Sequence, residues 1–204
     1  AYPGQTEFFA AKTGTPINET VMMLCCPELR VVPLTIHIPL NEVSDAITHQ
    51  LIKKRSLTIL KSLSRDFGLS KPRVFVCGLN PHAGESGTIG TEDDAIIAPA
   101  IRELQEEGYD VQGPFSADTM FHADARSNYD AALAMYHDQA LIPIKTLNFH
   151  QGVNITLGLP IIRTSPDHGT AYDIAGKNAA SAQSMISALQ LAASIARNRS
   201  NHEG

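Results

Sequence analysis

Short runs of apolar and β-branched residues alternate along the chain with longer stretches in which apolar residues recur every three to four positions. Val21 to Leu24, Val31 to Thr35, Val74 to Cys77, Val111 to Gln112, Ala131 to Met135, Val153 to Leu157 and Ile161 to Thr164 are predicted strands. Ser44 to Phe67 reads as one helix: Ser44 suits its N-cap, Ile52, Ile59, Leu60, Leu63 and Phe67 form its apolar stripe, and Gly68 stands at its exit. A glycine-rich loop, Gly84 to Gly90, leads to a second predicted helix. Thr91 is its expected cap, with Glu92, Asp93 and Asp94 in the first turn against the positive end of the dipole, and Gly108 marks its end. The last helix is predicted over Ser181 to Arg197, with Met185, Ile186, Leu189 and Ala193 on its apolar face. Strands alternating with helices predict an α/β protein on a largely parallel or mixed sheet.

The 204 residues, 43% hydrophobic and 18% charged, suffice for a substantial core in one large or two small domains. A net charge of -5 lacks the basic excess that neutralises phosphates, so no nucleic-acid partner is expected, and Lys53-Lys54-Arg55 reads as a solvated helix face. No apolar run approaches the ~20 residues that span a bilayer, and no charged-then-apolar leader opens the chain. The expectation is a cytoplasmic protein without a membrane partner. Cys25, Cys26 and Cys77 fit no Cys-x-x-Cys spacing and read as buried thiols in a reducing compartment. The first residue is Ala1, not Met, and the expectation is the C-terminal portion of a longer frame.

Three histidines occupy equivalent places: His37, His82 and His137 each follow a predicted strand at its C-terminal end. In α/β sheets that edge is where loops diverge and ligands bind. Three neutral imidazoles with an open fourth position suit Zn²⁺ and other first-row divalent ions. Their wide separation leaves two readings open, one shared metal or separate loop and core histidines. Asp118 and Asp138 also lie at strand exits, where they orient a ligand or cap a helix.

Lys145, Asn154 and Arg163 interrupt the strand-like apolar segments Leu141 to Ile144, Gly152 to Leu157 and Pro160 to Ile162. A cation so placed either pairs with a carboxylate or reaches a ligand anion, and we expect the latter for Lys145 and Arg163. His168 to Lys177 forms a glycine-containing loop in which His168 suits stacking on a flat ring and Asp173 suits accepting hydrogen bonds from ribose or adenine. The Gly84 to Gly90 loop lacks the Gly-Lys-Ser or Gly-Lys-Thr ending of a Walker phosphate loop.

Several segments, in one order over nearly the whole chain, resemble the 4-hydroxythreonine-4-phosphate dehydrogenase family of vitamin B6 synthesis. They are Pro-Gly-Gln-Thr-Glu-Phe, Val-Met-Met-Leu, Leu-Arg-Val, Thr-Ile-His-Ile-Pro-Leu and Cys-Gly-Leu-Asn-Pro-His-Ala-Gly-Glu. Gly-Pro-Phe-Ser-Ala-Asp-Thr-Met-Phe, Ala-Met-Tyr-His-Asp-Gln, Gly-Val-Asn-Ile-Thr-Leu-Gly-Leu-Pro and Ile-Arg-Thr-Ser-Pro-Asp-His-Gly-Thr-Ala follow. The resemblance implies one divalent metal per subunit on His37, His82 and His137, zinc foremost, with magnesium, cobalt or manganese as alternatives. It implies substrate contacts at Gln5, Thr6, Lys145, Asn154 and Arg163, with Lys145 and Asp138 as catalytic candidates. Gln5 stands where a familiar form of the motif has His, and an amide hydrogen-bonds but does not take a proton. His168, Gly169, Thr170, Ala171 and Asp173 look like the adenosine-binding loop of decarboxylating dehydrogenases, which implies NAD.

The implied fold is isocitrate/isopropylmalate dehydrogenase-like, two α/β/α domains with the site in the cleft between them, in a homodimer. Residues 1–150 are expected to form a metal-binding and dimerisation domain and 151–204 the C-terminal part of the cofactor-side domain, whose N-terminal segment is absent from this chain. The implied reaction is NAD- and metal-dependent oxidation of 4-phosphohydroxy-L-threonine at its C3 hydroxyl, and the 3-oxo acid then decarboxylates to 3-amino-2-oxopropyl phosphate. A relative acting on phosphothreonate or phosphoerythronate, and an inactive metal-binding dimerising fragment, are the alternatives. A zinc hydrolase is disfavoured by the lack of a zincin motif and of a Gly-x-Ser-x-Gly elbow.

Overall fold

Strand alternation explains how the sheet is buried on both sides. In β1 (Val21–Cys26) Val21, Met23 and Cys25 enter one apolar cluster, while Leu24 enters the other. The same alternation splits Val32 from Leu29 and Val31 in β2 (Leu29–Pro33), and Ala131 and Leu133 from Ala132 and Ala134 in β5 (Ala131–Ala134). The computed structural model describes residues 2, 4–167, 169 and 172–202. Its seven strands form one sheet in the order β4-β3-β5-β2-β1-β6-β7, completed by β3 (Val74–Cys77), β4 (Val111–Phe115), β6 (Val153–Leu157) and β7 (Thr164–Pro166).

Strands β2 to β5 are mutually parallel where they pair, and β1 runs antiparallel to both β2 and β6. The exits of β2, β3, β4, β5 and β6 therefore share one end of the sheet. Helix α1 (Gln5–Lys12) precedes β1; α2 (Val43–Ala46) and α3 (His49–Phe67) follow β2. Then come α4 (Ala98–Glu106), α5 (Ala123–Arg126), α6 (His137–Leu147) and α7 (Gln183–His202). Helices α3, α4 and α7 cover one face, with Ile52, Ile59, Leu63, Ile101 and Leu104 fully buried there. On the other face α6 lies over Ala132 and Ala134, small residues that admit the helix, and contributes Ala140 and Ile144. Each such side chain contributes roughly 1.5–3 kcal/mol if it is Leu, Ile or Met.

The expected α/β mixed sheet is present, with five departures from the expected elements. The helix expected from Ser44 breaks at Ile47, because Thr48 takes an extended conformation and its Oγ1 accepts the Leu51 N–H at 3.2 Å as the true N-cap. Its far end is as expected: Gly68 adopts φ 70° and the Leu69 N–H reaches the Leu63 carbonyl at 3.2 Å. Thr91 makes no side-chain cap, and the next helix opens instead as a π turn over Asp93–Ile97. The run Leu141 to Ile144 is helix, not strand, so Lys145 sits in the last turn of α6. The strand expected over Ile161 to Thr164 starts only at Thr164.

Helix α7 shows the largest departure. Met185, Ile186, Leu189 and Ala193, expected inward, are all exposed, and Leu189 is 63% exposed. Ser184, Ala188 and Ile195 face the sheet instead. Ser184 Oγ donates to the Gly152 carbonyl at 2.8 Å and Thr164 Oγ1 to the Ala188 carbonyl at 2.9 Å, close approaches that a bulky stripe would prevent. The basic run is also partly tied down, with Lys53 bridging Glu103 and Glu107 and Arg55 donating to the Thr20 carbonyl.

β6 ends at Gly158, which has φ 84° and lies so close to the Glu19 carbonyl that a Cβ would overlap it. Gly158→Ala is expected to cost more than ~1 kcal/mol, seen as a thermal midpoint lower by at least ~2–4 °C. An unchanged midpoint would show that the turn relaxes freely.

Candidate metal and substrate site

The three histidines emerge at the shared end of the sheet, as their strand-exit positions predict. His37 follows β2, His82 lies in the tight turn Pro81–Gly84 after β3, and His137 opens α6 directly after β5. The His37 and His137 rings have centroids 6.0 Å apart. Imidazole nitrogens ~2.0–2.1 Å from a shared ion put ring centroids roughly 5–6 Å apart, so this pair fits one divalent cation. His137 Nδ1 is 2.7 Å from Asp138 Oδ1, a contact that selects the tautomer with Nε2 free for a ligand. Both histidines line a hollow of ≈ 310 Å³ with Thr35, Tyr136 and Asp138, and Asp118 and Asp138 share the adjoining one.

His82 is not gathered with them within one chain. Its side chain is 68% exposed and faces Glu85, and among the described residues no three His, Cys, Asp or Glu side chains are grouped to hold a metal. The loop carrying it is conformationally costly: His82, Ala83, Glu85 and Ser86 all have positive φ. The residues leading into it are held by groups that the sequence reading placed at helix starts and not in the site. Buried Asp93 accepts from the Leu79 N–H at 2.8 Å, the Asn80 N–H at 3.1 Å and Asn80 Nδ2 at 2.9 Å. Glu92 accepts from Asn80 Nδ2 at 2.9 Å and from Ser44 Oγ at 2.6 Å. The Ser44 hydroxyl, the Glu92 N–H and the Asn80 amide pull the Glu92 carboxyl down to about 2. Gln139 links the neighbouring exits, accepting from the Met135 N–H at 2.6 Å and donating to the Gly78 carbonyl at 2.9 Å.

The substrate candidates gather in part. Thr156 and Asn154 are two apart on β6 and share the sheet face under α6. Arg163 donates to Thr156 Oγ1 at 3.1 Å and to Gln5 Oε1 at 3.0 Å across 158 residues, which brings α1 to the same place. Thr6 is the next residue of α1 and half-buried. Arg163 has no carboxylate partner among the described residues, and burial pushes its guanidinium below its ordinary value. Asn154 Oδ1 is buried without a donor. Lys145 departs from the expectation of an unpaired cation: its Nζ lies 2.9 Å from Asp167 Oδ2. Asp167, absent from the expected set, was visible only as part of the Ser-Pro-Asp-His segment.

Of the expected cofactor loop, His168, Thr170 and Ala171 lie outside the described residues. Gly169 lines a hollow of ≈ 380 Å³ with Phe149, Asp167, Ile174 and Ser184, and Asp173 lies exposed in the turn Tyr172–Ile174. The cysteines are all free, and burial raises Cys25 and Cys77 to about 12.

The family model described as pyridoxal phosphate biosynthetic protein PdxA matches residues 1–192. The chain belongs to the PdxA family. A 4-hydroxythreonine-4-phosphate dehydrogenase of Zymomonas mobilis is 57% identical over 198 residues, 97% of this chain and 59% of that protein. The crystal structure of a Klebsiella pneumoniae 4-hydroxythreonine-4-phosphate dehydrogenase superposes with TM-score 0.86 at 43% identity, covering 96% of this chain and 59% of that one. A terephthalate 1,2-cis-dihydrodiol dehydrogenase from Burkholderia xenovorans is similar at TM-score 0.76 and 29% identity, covering 94% of this chain and 60% of that one. The fold is thus that of the PdxA dehydrogenases, isocitrate dehydrogenase-like, and the chain spans about three-fifths of the length of these relatives. Among the described residues, no helix of this PdxA-family chain is long and apolar enough to cross a membrane.

Proposed function

We propose that this chain is the metal- and substrate-binding part of a cytoplasmic NAD-dependent dehydrogenase that oxidises 4-phosphohydroxy-L-threonine at its C3 hydroxyl, the 3-oxo product then losing CO₂. The observation that carries this reading is Arg163, a half-buried guanidinium with no carboxylate partner among the described residues, held on Thr156, two residues along β6 from Asn154, whose Oδ1 is buried without a donor. A phosphate or carboxylate satisfies the first and a hydroxyl or ammonium the second. The relatives named for 4-hydroxythreonine-4-phosphate supply the substrate class.

When bound, a divalent ion would acidify and orient the alcohol and NAD⁺ would accept the hydride. The chain's own residues do the rest. His37, His82 and His137 would hold the ion, and the Asp138 contact would keep His137 in the ligating tautomer. Gln5 fixes the Arg163 fork against the substrate anion, and Lys145 donates to a second substrate oxygen. Gly169 and Asp173 line the adenosine side with His168, Thr170 and Ala171.

This assignment calls for a homodimer. One chain gathers two of its three histidines, and Lys145 lies eight residues along α6 from His137, ~12 Å at 1.5 Å per residue. Apolar Ile36, Ile38 and Leu40 are exposed around the histidine hollow and Ile142 at the adjoining one, where a second copy would bury them and complete both sites. Light scattering at micromolar concentration is expected to give the dimer mass, and a folded monomer would count against it.

The activity test is NADH formation from 4-phosphohydroxy-L-threonine by this chain and by its full reading frame, with divalent metal supplied. Turnover is expected from the full frame and lost in His37→Ala, His82→Ala and His137→Ala. Turnover of phosphothreonate or phosphoerythronate alone would move the assignment to a sugar-acid dehydrogenase. Unchanged turnover in the three variants would remove the metal site.

A further inference from the structure

Lys145 stands between two hollows. In the last turn of α6 it lines a shallow one of ≈ 460 Å³ together with His137 and Asp138. Its Nζ lies 2.9 Å from Asp167 Oδ2, donates to the Asp167 carbonyl at 3.3 Å and stands 5.4 Å from the centre of the Phe149 ring. Asp167 and Phe149 in turn line the hollow of ≈ 380 Å³ that includes Gly169. The pair of Lys145 and Asp167 thus joins the His137 side of the sheet to the side of the expected cofactor loop.

Asp167 is the better anchored of the two. It directly follows β7, and its N–H reaches both the Gly152 carbonyl and Ser184 Oγ at 3.3 Å. Buried Ser184 donates to that same carbonyl at 2.8 Å, so β6, β7 and α7 together hold the Asp167 backbone. The carboxylate occupies the space that Gly152 leaves open, since a Cβ there would stand 3.3 Å from Asp167 Oδ2. Gly152 has no positive φ, so its backbone does not call for glycine, whereas the room for this carboxylate does. Lys145, by contrast, is a compact charge on a flexible four-carbon stem, and nothing in α6 itself fixes its tip.

We propose that Asp167 is a positioning residue for Lys145: its carboxylate and its carbonyl engage two of the three ammonium donors and so aim the third at a substrate oxygen. This rests on the substrate role proposed above for Lys145. Asp167 acts through Lys145 and need not touch the substrate. A strut between β7 and α6 would use the same contacts, but it would stabilise the fold without changing how the ammonium meets the substrate. Asp167→Asn keeps an oxygen that accepts from Nζ, as well as the carbonyl, and so keeps the aim while losing the charge.

The test is a double-mutant cycle on the full reading frame with divalent metal supplied. Calorimetric titrations with 4-phosphohydroxy-L-threonine are run on the unaltered protein, Asp167→Ala, Lys145→Met and the double variant, with melting curves on the same samples. Asp167→Ala is expected to raise the dissociation constant ~10-fold when Lys145 is present and less than ~2-fold when position 145 is already Met, because the two side chains work as one unit. Asp167→Asn is expected to stay within ~3-fold of the unaltered protein. Should Asp167→Ala lose its fold, Asp167→Leu fills the space without an acceptor and runs the same cycle. An equal rise in both backgrounds, or a lower melting midpoint with an unchanged dissociation constant, would make the pair a strut and overturn the positioning role. Binding as weak in Asp167→Asn as in Asp167→Ala would assign the effect to charge and overturn it as well. If Lys145→Met binds as the unaltered protein does, the substrate role of Lys145 falls and this one with it, and if the unaltered protein shows no saturable binding, the substrate assignment itself falls.

Discussion

Asp66→Ala is expected to lower the thermal midpoint by roughly 6–20 °C, because a buried ion pair loses ~3–5 kcal/mol when one partner goes and ~1 kcal/mol shifts a domain this size by ~2–4 °C. The side chain is 2% exposed and is held from two helices: Arg65 Nε lies 2.7 Å from Oδ1, as does Arg199 Nε, and their terminal nitrogens reach Oδ2 at 3.1 and 3.2 Å. Asn198 Nδ2 adds a bond to the Asp66 carbonyl at 2.8 Å, and Arg199 a further one to the Pro160 carbonyl at 2.9 Å. This knot fastens α7 to α3, and α7 in turn covers β7, so its loss loosens the edge of the sheet that carries the substrate candidates.

Acid should act through the same carboxyl. Burial by itself would raise Asp66, but the hydrogen bonds and charges of Arg65 and Arg199 outweigh it and hold the folded-state value below the ordinary one. A depressed folded-state value means stability that is fully present above the unfolded value, ~3.9, and lost as the pH falls through the folded one. Melting curves between pH 7 and 2 should therefore show an acid limb for the unaltered chain that is flatter in Asp66→Asn. Parallel limbs in the two proteins would place the acid sensitivity elsewhere.

That knot shows where reading the sequence stops. The strands and the α3 stripe were legible because each element buries a face whose period the chain repeats, 2 for a strand and about 3.6 for a helix. The α7 face was not, because its inward side is built from Ser184, Ala188, Ile195 and the polar pair Asn198 and Arg199, while Met185, Ile186 and Leu189 stay exposed. Periodicity finds the most apolar stripe, and here tertiary contact selected a less apolar one. Similarly, Ser44 has the chemistry of a cap, but Thr48 satisfied the helix end and released Ser44 to Glu92.

The histidines divide in the same way. Their strand-exit placement followed from element order, and the structure has it. The hydrogen bonds that join those exits run through Glu92, Asn80 and Gln139, whose partners on neighbouring exits lie 12 to 61 residues away and leave no local spacing to read. The pairing of Gln5 with Arg163 spans 158 residues and was equally out of reach, although both were singled out from the resemblance.

Arg163 and Lys145, read alike from the sequence, are expected to separate on mutation. Arg163 is partly desolvated with no carboxylate partner among the described residues, and its bonds go to the neutral oxygens of Thr156 and Gln5. Arg163→Met should accordingly hold or raise the thermal midpoint, since removing a half-buried cation that meets only neutral oxygens offsets two ordinary hydrogen bonds at ~1 kcal/mol each. Lys145 is paired with Asp167, whose side chain is 19% exposed, so Lys145→Met leaves a largely covered carboxylate alone and should cost about 1–3 kcal/mol. Both substitutions should weaken binding of 4-phosphohydroxy-L-threonine by ~2–5 kcal/mol, the loss on truncating one side of a hydrogen-bonded charge pair. Melting curves and substrate titrations on the two variants decide between the roles. A midpoint that falls as far in Arg163→Met as in Lys145→Met, with substrate binding intact, would make Arg163 a strut between α1 and β6, and the anion that the site is built to hold would have to be sought elsewhere on the sheet.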